Sequence, residues 1–403
     1  MSFKLIIENI ISTNNAAYIK SNFDEITKIS KILVKEGLDS SCENPFSYFW
    51  SQSNLSKNRY SNIYPFDYNR VVLGTVCKSL PPKNPVRSIE EAESSIPFQE
   101  NYLKKEFGNS RYRSSYINAS WIQTPLSIIE TEYIATQGPI RDSIQDFWQM
   151  VFENKSSVIV MLANIMESGH EKCAPYWPTK SNRKLEFGGD KKLSVLLLDE
   201  KPILDGSAIV REFMVFNSHV SPNDPNVKRS AIKVSHYQFT AWPDRYVPDS
   251  YDDLLDFIIF TQDSRDLAIQ SSTISENTAL DKQTILLPST GPPIVHCSAG
   301  CGRTGTFVIL DTIIQFFKNN DTYKGDIIQD LFYSFRFQRV HFVQTIDQLM
   351  FIYEFVYNCL FSQNPVSPMS PQSPLKPTSF SLEDSGTSGG ISPNSIPENT
   401  IDP

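Results

Sequence analysis

Apolar positions follow two rhythms between residues 21 and 361 of the 403-residue chain. Short runs dense in Val, Ile and Leu, SVIVMLAN (157–164) and KLSVLLLDE (192–200), predict buried strands. VREFMVFN (210–217) and AIKVSHYQFTAW (231–242) show a partial period of two, as antiparallel strands do. QDFWQMVFENK (145–155) and YDDLLDFIIFTQ (251–262) place apolar residues at helical spacing. Around residue 300, PIVH predicts a further short buried strand and GTFVILDTIIQFF an apolar helix. Strands of mixed direction interleaved with helices predict an α/β fold: a single large domain built on a twisted mixed β-sheet flanked by helices.

The pattern lapses in four places. The opening MSFKLIIENIISTNN is briefly apolar, but Glu8 interrupts it and no small-residue cleavage site follows, so it reads as neither signal peptide nor anchor. Residues 1–20 are left as a segment of uncertain order, with the main domain at 21–361. KSLPPKNPVRSIEEAESSIPFQEN (78–101) and SSTISENTALDKQTILLPSTGPP (271–293) read as long surface loops inserted into that domain. From Ser362 almost no core-forming residue remains, and 362–403 is expected to be a disordered Ser/Pro-rich tail. Proline recurs at every third position from Pro365 to Pro377, the spacing of a polyproline II helix. That suits an SH3-like partner, and Ser367, Ser370, Ser373 and Ser392, each followed by proline, suit a proline-directed kinase.

Composition narrows the function. A formal charge of −8 argues against nucleic acid as the main partner. No apolar run reaches the roughly 18 residues of a membrane span, and the expected compartment is the cytoplasm. The six cysteines form no CxxC pair and read as reduced thiols, and the five histidines match no zinc spacing. Neither metal nor cofactor is expected.

One stretch carries concentrated chemistry: VHCSAGCGRTG, Val295 to Gly305. It joins the predicted strand to the predicted helix, so backbone amides there can converge on an anion at a helix N-terminus. Gly300, Gly302 and Gly305 permit tight curvature, and Arg303 brings a planar fork matched to two phosphate oxygens. Such a field favours thiolate over thiol, which makes Cys297 a nucleophile, with the Thr304 hydroxyl placed to assist its departure.

This run resembles the signature loop of the tyrosine-specific protein phosphatases, the cysteine-dependent, non-receptor kind, and the resemblance extends from near Lys57 to Tyr357 through several separated motifs. It implies hydrolysis of phosphotyrosine in proteins through a cysteinyl-phosphate. His296, Ser298, Ala299, Gly300, Cys301 and Gly302 would shape the nucleophile's loop and hold the phosphoryl group. TAWPDRYVP (240–248) is similar to the family's mobile acid loop, making Asp244 the general acid and then base, with Trp242 and Pro243 as hinge and wedge. RVHFVQTIDQ (339–348) resembles the loop that positions the hydrolytic water, through Gln344, with Gln348 secondary. His341 in that loop is bulky beside the phosphate pocket. KNRYSNIYPFD (57–67) resembles the substrate-recognition loop, where Tyr60 would stack on the phosphotyrosine ring and Asn62 would hold substrate backbone. ANIMESGHEKCAPYWP (163–178) implies that Glu167 orients Arg303 and that Lys172 lies near the closed acid loop.

Arg245 and Tyr246 depart from the family pattern, which usually continues with an aromatic or His and then Gly. They sustain a competing expectation, a phosphotyrosine-binding pseudophosphatase, against which stands the joint presence of Cys297, Arg303 and Asp244.

Overall fold

The computed structural model describes residues 1–13, 15–39, 46–74, 83–95, 115–188, 193–217, 229–243, 246–248, 250–272, 284–286, 291–320 and 322–362. The chain opens with helices α1 (Phe3–Ser12), α2 (Ala16–Asp39) and α3 (Phe49–Gln52), then strand β1 (Arg70–Val72) and helix α4 (Ile89–Ser95). Strands β2 (Tyr116–Gln123) and β3 (Glu132–Thr136) lead to helix α5 (Ile144–Glu153) and strand β4 (Val158–Met161). A small hairpin follows, β5 (Met166–Glu167) and β6 (His170–Glu171). The antiparallel run is β7 (Lys184–Phe187), β8 (Leu193–Ile203), β9 (Ala208–Asn217) and β10 (Arg229–Phe239). After α6 (Tyr251–Ser272) come β11 (Thr284–Leu286), β12 (Ile294–His296), α7 (Gly302–Asn319), α8 (Ile327–Arg336) and α9 (Ile346–Val356).

The main sheet runs β1-β2-β3-β12-β4-β10-β9-β8-β7, with β11 beside β10. Its centre is parallel: Ile294 of β12 lies opposite Ile134 of β3 and Ile159 of β4, and β4 pairs in parallel with β10. Both outer wings are antiparallel. The α/β sheet expected from the pattern is therefore present, and its parallel strands are buried on both faces, as apolar runs such as VIVM require.

Period-two alternation splits the core. Val158, Val160 and Val295 face a cluster containing Phe307, Ile309 and Leu331, whereas Ile159, Met161 and Ile294 face Phe147, Trp148 and Met150 of α5. Each large side chain so buried contributes roughly 1.5–3 kcal/mol. Helix α7 is buried along most of its length, which explains why its sequence is apolar on nearly every side.

Residues 3–12, within the segment whose order the sequence left open, are helical. Phe3, Ile7 and Ile10 recur at helical spacing and are buried, and the Phe3 amide donates to Tyr323 O at 2.8 Å. The two stretches read as inserted loops contain short regular pieces. Helix α4 buries Ala92, and β11 pairs in parallel with β10. The remainder of those stretches, and the tail from residue 363, lie outside the described residues.

Candidate active site

Strand β12 ends in the middle of the sheet and α7 begins at Gly302, so residues 297–301 must turn sharply at the C-terminal end of the parallel strands. Gly300 takes φ +72°, and a Cβ there would fall 2.1 Å from Thr136 O; only glycine fits. Its amide points inward, 3.3 Å from Cys297 Sγ. At Gly302 a Cβ would stand 2.9 Å from the end of the Gln348 side chain and 3.2 Å from Gln344 Cβ, so both glutamines would have to shift. Ser298, Ala299 and Cys301 complete the loop, with Cys301 at the N-cap of α7 and its own thiol pushed by burial up to about 11.

Cys297 is only 4% exposed. Burial alone raises its pKa, but the Arg303 charge, the Thr304 hydroxyl and the Thr304 and Cys301 amides outweigh it, so the thiol titrates below its ordinary range. The buried Thr304 hydroxyl is engaged by no other described residue.

Arg303 is held fork to fork by Glu167, Nη1 to Oε1 and Nη2 to Oε2, both 2.8 Å. Glu167 Oε1 also accepts from the Asn164 amide at 2.8 Å, which fixes the hairpin β5–β6 beneath the loop. Arg303 Nη1 donates as well to Trp242 O at 3.1 Å, and Trp242 Nε1 donates to Tyr246 O at 2.9 Å. Trp242 and Tyr246 are thus tied to the Arg303 fork. Asp244 and Arg245 lie outside the described residues.

Tyr60 donates to Ser298 Oγ at 2.8 Å, and Ser298 donates in turn to Lys172 O at 2.8 Å. Lys172 therefore meets the loop through its backbone. Asn62 is exposed, and among the described residues its side chain makes no hydrogen bond. Gln344 is exposed above Gly302, while buried Gln348 closes a capping box with Thr345 and accepts from the Gln344 amide at 2.9 Å. His341 stands at φ 57° on the same bend, and burial lowers its pKa to about 4.

Strand alternation turns His296 away from Cys297, onto the α5 face. Its Nδ1–H donates to Cys297 O at 3.0 Å, leaving Nε2 to accept from Tyr176 Oη at 2.8 Å. Tyr176 oxygen then accepts from His236 Nε2 at 2.8 Å. Burial lowers His296 to about 4 and holds His236 neutral too, which fixes the direction of every bond in this chain.

Three participants escaped the sequence reading. Tyr176 and His236 sit inside quoted segments, but only the sheet brings them together across 60 residues. Arg339 is fully buried, with Nε on Gly300 O at 2.7 Å and Nη2 on Ala299 O at 3.1 Å, propping the loop from below. Its one signal was a position at the head of RVHFVQTIDQ. Among the described residues no cluster of three or more His, Cys, Asp or Glu is arranged for a metal ion, and no helix is long and apolar enough to cross a membrane.

A family model for the protein-tyrosine phosphatase matches residues 54–358. The chain belongs to the protein-tyrosine phosphatase family. Tyrosine-protein phosphatase 1 of Schizosaccharomyces pombe is 30% identical over 354 residues, covering 83% of this chain and 52% of that protein. Tyrosine-protein phosphatase non-receptor type 20 of Rattus norvegicus is 32% identical over 318 residues, covering 78% of this chain and 57% of that protein. The chain thus spans about half the length of these curated relatives. A solved structure from work on the PTPN18 fingerprint on distinct HER2 tyrosine phosphorylation sites superposes with a TM-score of 0.59 at 23% identity, covering 87% of this chain and 97% of its own. At that identity it speaks for the phosphatase fold.

Proposed function

We propose that the chain hydrolyses phosphotyrosine in proteins in two steps, in cytoplasmic signalling. Cys297 thiolate attacks phosphorus while Asp244 protonates the departing tyrosyl oxygen, leaving a cysteinyl-phosphate. Water held by Gln344 and deprotonated by Asp244 then attacks phosphorus, and the S–P bond electrons return to Cys297. Arg303 and the amides from Ser298 to Gly302 carry the charge on the equatorial oxygens, and Thr304 steadies the returning thiolate. Tyr60 and Asn62 select a long aromatic phosphoester, and the SH3-like or kinase partners of the proline-rich tail belong to this same reading. The observation that carries it is a buried thiol held acidic beside an arginine whose fork a buried carboxylate has already aimed.

The test is phosphate release from a phosphotyrosine peptide and a matched phosphoserine peptide, with EDTA and reductant present. Release from the phosphotyrosine peptide alone, lost in Cys297→Ser, supports the reading. A folded parent that binds the peptide and releases nothing overturns it in favour of a phosphotyrosine reader.

A further inference from the structure

Arg336 closes α8 and is 2% exposed, yet no carboxylate of the described residues pairs with it. Its donors serve one bend of the backbone: Nε reaches Phe342 O at 2.5 Å and Nη2 reaches Val343 O at 2.6 Å. That bend enters the left-handed region twice, at His341 and at Val343, both with φ 57°. A β-branched residue stays there only where its surroundings hold it. The two guanidinium bonds do so, together with Val343 N on Cys301 O at 3.2 Å. The next residue is Gln344.

Helix α2 closes the other side of the guanidinium. Nη1 points to Ser30 Oγ at 3.4 Å, and Ser30 gives its own hydrogen to Ile26 O at 2.7 Å. The cation lies 5.4 Å from the Phe23 ring centre and 5.1 Å from that of Phe332. Helix α2 is fastened to α8 by Tyr18 to Asp326 at 3.1 Å, Gln329 to Asn22 at 3.1 Å and Tyr333 to Glu25 at 2.9 Å. All of α2 precedes residues 54–358, the stretch that the family model matches.

We infer that Arg336 is a positioning residue for Gln344, and that helix α2, by walling in its guanidinium, sets the rate at which water releases phosphate from Cys297. The inference rests on the two-step phosphatase reading above. Shifting the 341–343 bend displaces the holder of the water; the Cys297 loop loses at most the Val343 N bond to Cys301 O and keeps its place on the two bonds from Arg339. Only the second step then slows.

The experiment uses the full chain and a ³²P-labelled phosphotyrosine peptide, with rapid acid quench to trap cysteinyl-phosphate. Arg336→Lys keeps the charge but loses the fork that spans two carbonyls. A Phe23→Leu/Ser30→Ala pair loosens the wall from the α2 side only. Gln344→Ala sets the reference signature. Because kcat/KM reports events through the first phosphoryl transfer, it is expected to stay within about 2-fold of the parent in Arg336→Lys, while kcat falls ~10-fold. Labelled intermediate accumulates and the burst of free peptide grows. The α2 pair shows the same signature, with kcat down about 3-fold. Loss of kcat and kcat/KM in parallel without intermediate, or unchanged kcat in both variants, overturns the inference. Should Arg336→Lys lose its fold by circular dichroism, the α2 pair decides on the same criterion. A parent that releases no phosphate removes the phosphatase reading itself, and this inference with it.

Discussion

Replacing Glu167 by alanine is expected to lower stability sharply, for reasons the geometry makes countable. Three bonds of 2.8 Å converge on that carboxylate, two from Arg303 and one from the Asn164 amide. The side chains of Arg303 and Glu167 are 4% and 8% exposed, so solvent cannot take the place of either partner. Cutting one member of a buried pair costs about 3–5 kcal/mol, because the remaining charge loses its compensation. At roughly 2 °C per kcal/mol for a domain of this size, Glu167→Ala should melt roughly 6–10 °C below the parent. Glu167→Gln keeps the shape and one acceptor oxygen but loses the charge, and should lose about half as much. Differential scanning fluorimetry in a non-coordinating buffer measures both. A second arm adds phosphate or orthovanadate. The anion restores negative charge at the guanidinium, so it should raise the melting temperature of Glu167→Ala by more than it raises that of the parent. An alanine variant that melts within about 2 °C of the parent without anion would refute the claim that the two charges depend on each other.

Other consequences can be checked independently. The rate of Cys297 alkylation by iodoacetamide should fall away only at a pH below the roughly 8.5 of a free cysteine, and Arg303→Met should move that midpoint upward. His296 stays neutral in the fold down to about 4, whereas an unfolded histidine titrates near 6.5. Between those values the unfolded chain binds the extra proton. The contribution is complete above pH 6.5 and is lost as pH falls toward 4, by about 3 kcal/mol, so urea midpoints of the parent should drop more steeply through that window than those of His296→Asn. Phe3→Ala, which empties a fully buried site on α1, should cost about 3–5 kcal/mol in the same urea titration.

The sequence was most legible where local pattern and long-range packing agree. The run at 157–164 and the stretch at 231–242 became β4 and β10, because parallel and antiparallel neighbours bury the same alternating residues that the pattern marks. The segment 297–305 was readable because Cys297, Gly300, Gly302, Arg303 and Gly305 lie within nine residues of one another. Long-range partners were less accessible. Tyr176 and His296 meet across 120 positions, and nothing local to either announces the other. Arg336 and Arg339 were assigned no role from the sequence, since a buried guanidinium is defined by the carbonyls around it. Helix α1 was obscured by Glu8, a charge on the side of the helix away from its buried stripe. Helix α4 and β11 were hidden by polar surroundings rich in Pro, Ser and Glu.

Three residues, Ile294 to His296, make up the strand that carries Cys297, and both of its edges are paired, to β3 and to β4. Its amides can exchange with deuterium only when the centre of the sheet comes apart. Cys297 thus follows a strand expected to be among the last parts of the sheet to open, whereas Glu167, Tyr60 and Gln344 sit on peripheral elements. Fraying of the periphery is expected to leave the Cys297 thiol in its place. Irreversible loss of the thiol's reactivity on heating therefore reports the cooperative melting of the whole domain, and it should follow the exchange of the Val295 amide with the same temperature dependence.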